Sequence, residues 1–322
     1  MKTPRYLVPD DYMADPAVHV FENKLYIYPS HDRESGIPEN DNGDHFDMKD
    51  YHVFSMDEVD GPVKDHGVVL DTKDIPWAGR QLWDCDVAYK NGLYYLYFPL
   101  KDKNDIFRLG VAVSRRPEGP FLPRENPIKG SYSIDPAIFE EDGMHYMYFG
   151  GLWGGQLQRY RNNKALECAV LPEGDEQALC PKIARLSEDM LEFAEEPKDV
   201  LILDEEGKPL KAGDTNRRFF EASWLHKYNG KYYFSYSTGD THYLCYATGD
   251  NPYGPFTYQG VILTPVVGWT THHAIVEYKG KWYLFHHDSV PSGGRTWLRS
   301  LKVVELEYDS AGKIITIEGG GV

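Results

Sequence analysis

The sequence has few cysteines, no excess of basic charge and no long apolar run. Its 4 cysteines among 322 residues are too sparse for a disulfide scaffold and lack the paired spacing of a zinc site. We therefore expect them to be buried free thiols. The formal net charge of −16 argues against nucleic acid, anionic membrane surfaces and acidic polysaccharides, because such partners need a basic surface.

Apolar segments long enough for a membrane or for export are also missing. No stretch approaches the ~20 apolar residues that span a bilayer. The first residues, MKTPRYLVPDDYMADP, contain no apolar core of a signal peptide. These observations predict a cytoplasmic protein that binds neither membranes nor nucleic acid.

Tyrosine, glycine and proline are abundant instead. The chain contains 24 Tyr, 30 Gly and 21 Pro, which favours short strands joined by tight turns over helices. A chain of this length can bury the core of one large β domain or of two smaller domains. No shift in composition marks a boundary, so we predict a single domain over residues 1–322.

One pattern, a tight turn followed by an aromatic-rich strand, occurs five times. The copies are FENKLYIYPS, KNGLYYLYFP, EDGMHYMYFG, YNGKYYFSYS and YKGKWYLFHH. Their turn positions are separated by 69, 51, 87 and 50 residues: Asn23, Gly92, Gly143, Gly230 and Gly280. The short intervals fit a four-stranded propeller blade, and the long ones fit blades with insertions, the largest at 151–220. A β-sandwich is the alternative, but five units of blade length favour an all-β, five-bladed β-propeller.

Four acids and a histidine precede the five repeats at nearly the same register. They stand nine or ten residues before the strand that follows each turn: Asp15, Asp84, Asp135, Glu221 and His272. Because the innermost strands of a propeller surround its axis, we expect these side chains to meet at one mouth of the channel. Acids at strand starts are often turn caps, but caps do not require Glu and His at the same register.

Carboxyl groups gathered in this way supply what glycoside hydrolysis needs. One carboxyl group protonates the leaving oxygen and needs a raised pKa, while a second activates water or attacks the sugar. A third acid nearby can keep the pKa of the proton donor high. The residues alone do not decide which acid has which role.

The blade-start strings resemble those of glycoside hydrolase family 43, and the likeness covers nearly the whole chain. The strings are ADPAV at 14–18, SIDPAIF at 133–139 and FFEASWLHKYNGKYYFSYS at 219–237. The resemblance implies that Asp15 is the general base, Asp135 modulates the pKa of the acid, and Glu221 is the general acid. It also implies an inverting reaction, with the base and acid about 6.5–9.5 Å apart.

The resemblance also implies roles for residues of two further sequence motifs near the propeller axis. TTHHAIV at 270–276 is similar to the fifth-blade motif, which implies that His272 reaches a calcium ion or a water cluster on the axis. A hydrogen-bonded histidine without metal is the alternative. RTWLRSLKVVEL at 295–306 implies an arginine paired with the catalytic acids, and Arg299 fits that place better than Arg295. The alternative for Arg299 is a surface position on a strand.

The second and fourth motifs depart from the family pattern. Trp83-Asp84-Cys85 stands where Trp-Ala-Pro is usual. We expect Trp83 to stack on a sugar ring, with core packing as the alternative. Asp84 is expected to contact the substrate or to bond a turn. Glu-Ala-Ser replaces the commoner Glu-Gly-Pro at Glu221, which leaves the acid in place but can alter the local backbone.

Two segments are candidates for the walls of the site. Residues 31–55 are acidic and rich in Asn and Gly, and we expect His31 and Asp32 to touch the substrate unless this loop is simply solvated. The stretch YFGGLWGGQ at 148–156 follows the third repeat, and Trp153 within it is expected to form the edge of a subsite.

The sequence thus predicts an exo-acting hydrolase that removes terminal α-L-arabinofuranosyl or β-D-xylosyl units from neutral oligosaccharides. It predicts no organic cofactor and leaves the oligomeric state open. An endo-arabinanase of the same fold would have an open cleft. A sugar-binding propeller without activity, or a protein-interaction scaffold, would not need three acids in register. A retaining enzyme would need carboxyl groups about 5–5.5 Å apart.

Overall fold

The computed structural model describes residues 3–269 and 272–321, so the two threonines of the TTHHAIV string lie outside the described residues. Secondary structure within these ranges consists of 24 strands and three short 3-10 helices. Strand β1 (Arg5–Tyr6) belongs to the last blade, although it is far in sequence from the other strands of that sheet. The 3-10 helices are Thr72–Asp74, Trp153–Gly155 and Leu157–Arg159.

The other strands form five blades in chain order. Blade 1 has β2 (Met13–Phe21), β3 (Lys24–His31), β4 (Asp50–Met56) and β5 (Lys64–Asp71). Blade 2 has β6 (Ala78–Leu82), β7 (Asp86–Lys90), β8 (Leu93–Asp102), β9 (Phe107–Ser114) and β10 (Leu122–Pro123). Blade 3 has β11 (Ala137–Glu141), β12 (Met144–Phe149), β15 (Lys182–Arg185) and β16 (Lys198–Asp199), with a small hairpin of β13 (Tyr160–Arg161) and β14 (Lys164–Ala165) inserted.

Blades 4 and 5 complete the ring. Blade 4 has β17 (Ile202–Leu203), β18 (Glu221–Tyr228), β19 (Lys231–Ser237), β20 (Leu244–Gly249) and β21 (Phe256–Leu263). Blade 5 has β22 (His273–Tyr278), β23 (Lys281–Asp288) and β24 (Ser300–Leu306) together with β1. Neighbouring strands within the blades are antiparallel, except that β17 runs parallel to β21. The prediction of an all-β, five-bladed propeller is confirmed.

The first strand closes the ring by pairing with the last. Arg5 and Tyr6 of β1 pair with Val303 and Lys302 of β24. The Tyr6 hydroxyl donates to Asp288 at 2.9 Å, and the Lys302 ammonium lies 2.7 Å from the same carboxylate. This pairing covers an edge of blade 5 that would otherwise be free to bind another strand.

Three buried tyrosines connect successive blades. Tyr28, Tyr97 and Tyr148 are fully buried at matching positions of the second repeat strand in blades 1, 2 and 3. Each hydroxyl donates to a backbone carbonyl of the following blade, those of Pro117, Met190 and Pro252 respectively. Tyrosine buries a large ring here and still satisfies its hydroxyl, so these side chains tie successive blades together.

The prediction about cysteines is right for only part of the set. All four thiols are free, and Cys85 and Cys245 are buried. Cys168 is exposed and Cys180 is partly exposed, because both lie in the long insertion of blade 3 outside the packed sheets. Within the described part of the chain, no helix is both long and apolar enough to cross a bilayer.

Candidate active site

The five residues in register meet at one cavity. Each stands at or just before the first residues of a blade's inner strand, on β2, β7, β11, β18 and β22. The cavity holds about 420 Å³, and its lining includes eight of the predicted site residues: Asp15, Trp83, Asp84, Asp135, Trp153, Glu221, His272 and Arg299. The inner strands therefore bring distant parts of the chain to one mouth of the propeller, as the repeat register predicts.

Irregular backbone directs the three acids at the start of blades 1, 3 and 4. Asp15 has φ 46° and lies where the pairing of β2 with β3 shifts register, and Asp135 has φ 59°. Ala222, directly after Glu221, has φ 63° within a similar shift between β18 and β19. Such bulges turn a side chain out of the strand's regular alternation. The alanine at 222 thus keeps a conformation that glycine adopts freely, at some cost in strain.

Asp15 is held in its ionised form. Its side chain is only 4% exposed, and burial by itself raises the pKa of a carboxyl group. The Arg299 guanidinium, 2.6 Å away, together with His272 and His287, outweighs burial and holds the pKa of Asp15 well below its usual range. The Asp15 amide also donates to Nδ1 of His287 at 3.0 Å, which fixes the backbone of the bulge.

Arg299 is fixed in place by Asp32 behind it. The Asp32 carboxylate accepts from Nε and Nη2 of Arg299 at 2.8 and 2.7 Å, and from the Arg299 amide at 2.8 Å. Burial raises the pKa of Asp32 to about 6, against the opposing charge of Arg299, so the carboxylate is ionised at neutral pH. The guanidinium also lies 4.9 Å from the centre of the Phe46 ring. This two-sided support orients Nη1 toward Asp15.

The surroundings of Glu221 favour its protonated form, whereas those of Asp15 favour the ionised form. It is 6% exposed, and its Oε1 has no hydrogen-bond partner among the described residues. Burial and then the negative charge of Asp135 raise the pKa of Glu221 to about 8. Asp135 is itself held in place, since its Oδ2 accepts from the Ala222 amide at 2.8 Å. Asp15 therefore stays ionised while Glu221 stays protonated near neutral pH.

Asp84, Asp135 and His272 form a second group beside these acids. Nε2 of His272 lies 2.9 Å from Asp135 Oδ2 and 3.7 Å from Asp84 Oδ2. Burial opposes protonation of the imidazole, but the charges of Asp135, Asp15 and Asp84 raise the pKa of His272 well above its usual value. Burial and the Asp135 charge raise the pKa of Asp84 well above its usual value.

The same group bears on the predicted calcium ion. Potential ligand atoms of Asp84, Asp135 and His272 lie within 4.8 Å of one another, and Oδ1 of each aspartate has no hydrogen-bond partner among the described residues. Calcium prefers oxygen ligands and takes six to eight of them. The two aspartates fit such an ion, with water supplying further oxygens, and the contact of His272 with the ion stays a prediction.

The first-blade loop and Trp83 form one wall. Nε1 of Trp83 donates to the Phe46 carbonyl at 2.8 Å, and the two rings meet edge to face at 6.2 Å. A Cβ on Gly43, which has φ +69°, would lie only 2.8 Å from the Trp83 ring, so glycine allows the loop to approach the indole closely. The Trp83 ring is therefore packed against Phe46 and also lines the cavity, while its stacking on a sugar ring stays a prediction.

Another part of the cavity lining includes residues that the sequence did not indicate. Trp153 stacks on Trp269 with ring centroids 5.6 Å apart, and the Trp269 carbonyl pairs with Nδ1 of His242. A Cβ on Gly154 would lie 2.6 Å from the Asn42 carbonyl, so the loop after β12 meets the first-blade loop. Trp269 and His242 stand between repeats, where no periodic signal distinguishes them from surface loop residues.

Two predicted substrate contacts lie elsewhere. Asp32 is 2% exposed behind Arg299 and is not part of the cavity lining, so it acts on the site through Arg299. His31 is also absent from the lining and instead contacts Asp11 and, across the end of β3, Asp50 of β4. The wall predicted for 31–55 does exist, but it is formed by residues 39–48 of that segment.

Comparison with known proteins agrees with this geometry. The family model for glycosyl hydrolases family 43 matches residues 11–314. A xylosidase/arabinosidase from Bacteroides ovatus is 80% identical over 322 residues, covering 99% of both chains. The solved structure of RS223 β-xylosidase is 79% identical with a TM-score of 0.98, covering 100% of both chains.

A second solved structure adds a bound ligand. It is a β-xylosidase/α-arabinofuranosidase from a compost microbial metagenome in complex with xylotriose, in a calcium-free form. It is 62% identical to this chain, with a TM-score of 0.96 and 99% of both chains covered. With a five-bladed propeller, buried acids at one cavity and this similarity along the chain, the protein belongs to glycoside hydrolase family 43 and is a glycoside hydrolase.

Proposed function

We propose that the protein is an inverting exo-glycosidase that removes terminal β-D-xylosyl units, and α-L-arabinofuranosyl units, from short neutral oligosaccharides. The observation that supports the mechanism is that one cavity favours the ionised form of Asp15 and the protonated form of Glu221. Arg299 and two histidines keep the Asp15 carboxylate ionised, while burial and Asp135 raise the pKa of Glu221 to about 8. The names of the relatives support the two sugars.

Asp15 acts as the general base in this proposal. An ionised carboxylate accepts the proton of a water molecule as that water attacks the anomeric carbon. Arg299 lowers the pKa of Asp15, so near neutral pH the carboxylate is ionised and free to accept a proton. Asp32 and Phe46 serve to position that arginine.

Glu221 acts as the general acid. Its raised pKa keeps the proton on the carboxyl group until the glycosidic oxygen accepts it. Asp135 contributes in two ways: its charge raises the pKa of Glu221, and its bond to the Ala222 amide holds the backbone beside the acid. The separation of the Asp15 and Glu221 carboxyl groups expected for inversion is about 6.5–9.5 Å, which leaves room for a water molecule.

Removal of single terminal sugars is supported by the walls of the cavity. The first-blade loop, the loop at Trp153 and residues near Trp269 and Thr296 all border the 420 Å³ space. A space of this size, bounded on several sides, accommodates the end of a chain better than its middle. Aromatic faces at Trp83 and Trp153 offer apolar contacts for sugar rings.

We also propose that a calcium ion binds beside the acids, held by Asp84 and Asp135. When bound, the ion would supply positive charge close to the catalytic carboxyl groups. Calorimetric titration of the chelator-treated enzyme with CaCl2 is expected to show one site that Asp84→Asn weakens. Equal affinity in the variant would remove Asp84 from the proposed ligand set.

The substrate and stereochemistry can be tested together. We expect xylotriose to yield xylose and xylobiose first, and we expect proton NMR of the earliest product to show α-xylose. Inversion at a β-xylosidic bond requires this anomer, since water attacks the face opposite the leaving group. Asp15→Asn serves as the control for turnover at this site. Cleavage inside the oligosaccharide, or β-xylose as the first product, would refute the proposal.

A further inference from the structure

A second group of potential metal ligands lies on blade 1, outside the active-site cavity. His31, Asp50 and His52 place ligand atoms within 4.8 Å of one another, and all three side chains are partly exposed. Within the described residues, the lining of the cavity includes none of the three. Nothing in the proposed hydrolysis uses this cluster, so its chemistry needs a separate explanation.

Strand geometry explains why these three side chains meet. Asp50 and His52 are two residues apart on β4, so they share one face of the strand. Ser30 pairs with Tyr51 across the antiparallel β3–β4 ladder, which brings His31, the last residue of β3, next to Asp50. The cluster is therefore built on paired strands rather than on a loose surface loop.

The distances suit a metal ion after small adjustments. Oδ1 of Asp50 lies 2.6 Å from His31 Nδ1 and 3.9 Å from His52 Nε2, and the two rings are edge to face at 4.8 Å. Ligands of a tetrahedral ion with bonds of about 2.0–2.1 Å are roughly 3.3 Å apart. The two separations from Asp50 thus need to change by less than about 1 Å, which partly exposed side chains can provide by rotation.

The far nitrogen of each imidazole already has a carboxylate partner. His31 Nε2 lies 3.4 Å from Asp11 Oδ2, and His52 Nδ1 lies 3.3 Å from Asp65 Oδ1. Histidines that bind metals usually donate their other N–H to such a group, which fixes the tautomer that leaves the ligating nitrogen free. Both histidines have this arrangement, with Nδ1 of His31 and Nε2 of His52 facing the shared Asp50.

We propose that His31, Asp50 and His52 bind a divalent transition-metal ion of the zinc class where β3 ends and β4 begins in blade 1. Two imidazoles and one carboxylate favour borderline metals such as Zn²⁺ over calcium, which prefers oxygen. Water completes the coordination, because the site is partly open to solvent. This proposal does not depend on the sugar that the enzyme hydrolyses.

An ion at this site would link the two ends of the loop between β3 and β4. His31 ends β3 and Asp50 begins β4, so the ion joins the two ends of the loop that connects these strands. That loop carries Gly43 and Phe46, which form one wall of the active-site cavity. Binding at its base restricts the loop and stabilises the folded state, since the unfolded chain does not preform the site.

The test uses tag-free enzyme that is stripped with chelator and then kept in excess Ca²⁺, so that calcium occupies the proposed site at Asp84 and Asp135. Calorimetric titration with ZnCl2 is expected to show one Zn²⁺ per chain and a rise in melting temperature. His52→Gln is expected to weaken binding by about tenfold or more and to remove the rise. His66→Gln, a matched control on the same blade whose ring pairs with Ser55, should bind as wild type does.

The outcomes separate a metal site from a network of ion pairs. Absence of Zn²⁺ binding by the wild type, or undiminished binding by His52→Gln, would overturn the proposal. If His52→Gln does not fold, Asp65→Asn removes the charge of the carboxylate behind His52, whose Oδ1 also accepts from the Gly67 amide, and is expected to weaken Zn²⁺ binding. Undiminished binding by a folded Asp65→Asn would then overturn the assigned arrangement around His52.

Discussion

Replacing Glu221 with glutamine is expected to lower kcat/KM for xylobiose by about 10²–10⁴-fold, the usual contribution of a general acid. Glutamine keeps the shape of the side chain but has no proton to donate to the leaving oxygen. A 4-nitrophenyl xyloside needs little protonation of its leaving group, so its turnover should fall much less. Initial rates of both substrates, measured on the same preparations, give the ratio.

The comparison between substrates makes the assignment specific. A variant that is damaged in a general way loses activity on both substrates by similar factors. Glu277→Gln, the same change at an exposed position on the inner strand β22, should leave both rates unchanged. Equal losses on the two substrates in Glu221→Gln would contradict its role as proton donor.

Replacing Arg299 with methionine is expected to cost about 3–5 kcal/mol in the free energy of unfolding. Methionine fills similar space, but it leaves Asp15 and Asp32 buried without their shared positive partner. The same change raises the pKa of Asp15, because the guanidinium is the main group that lowers it. Urea denaturation measures the loss of stability, and kcat/KM at neutral pH reports how far the raised pKa takes Asp15 out of its ionised form.

Arg295→Met is the matched control for this change. Arg295 is four residues earlier and half exposed, and its guanidinium lies 3.6 Å from Glu34, so its loss should change stability by less than about 0.5 kcal/mol. Arg299→Lys keeps the charge without the planar fork that meets both aspartates, and it should fall between the two. Similar unfolding free energies for Arg299→Met and Arg295→Met would disprove the buried network.

The fold and its acids could be predicted because the propeller repeats one local pattern. Each hairpin has its own turn and aromatic signal, so five separate patterns indicate five blades without any long-range information. The same repetition indicates a shared register, which is how Asp15 and Glu221 were identified although they are far apart in sequence. Blades 1 and 4 have the same one-residue bulge, and Asp15 occupies its positive-φ position. In blade 4 that position is Ala222, so Glu221 comes one residue earlier and its register is ten instead of nine.

The walls of the site could not be predicted in the same way. Trp269 and Phe46 belong to connections between repeats, where the path of the chain depends on packing between loops. Asp32 was expected to touch the substrate, but a charged group next to a strand end can equally bond a neighbouring arginine. Which of these happens depends on β24, whose position beside β23 is set by closure of the ring.

The measurement that most directly tests the central claim is the pH dependence of kcat/KM. The general acid must be protonated, so wild-type activity should persist below the pKa of Glu221, about 8, and fall as pH rises through it. With xylobiose as substrate for both proteins, the residual activity of Glu221→Gln should lack this alkaline fall. A wild-type activity that already falls as pH rises through 4–5, where an unperturbed glutamate titrates, would contradict the account. So would an alkaline fall that persists in Glu221→Gln.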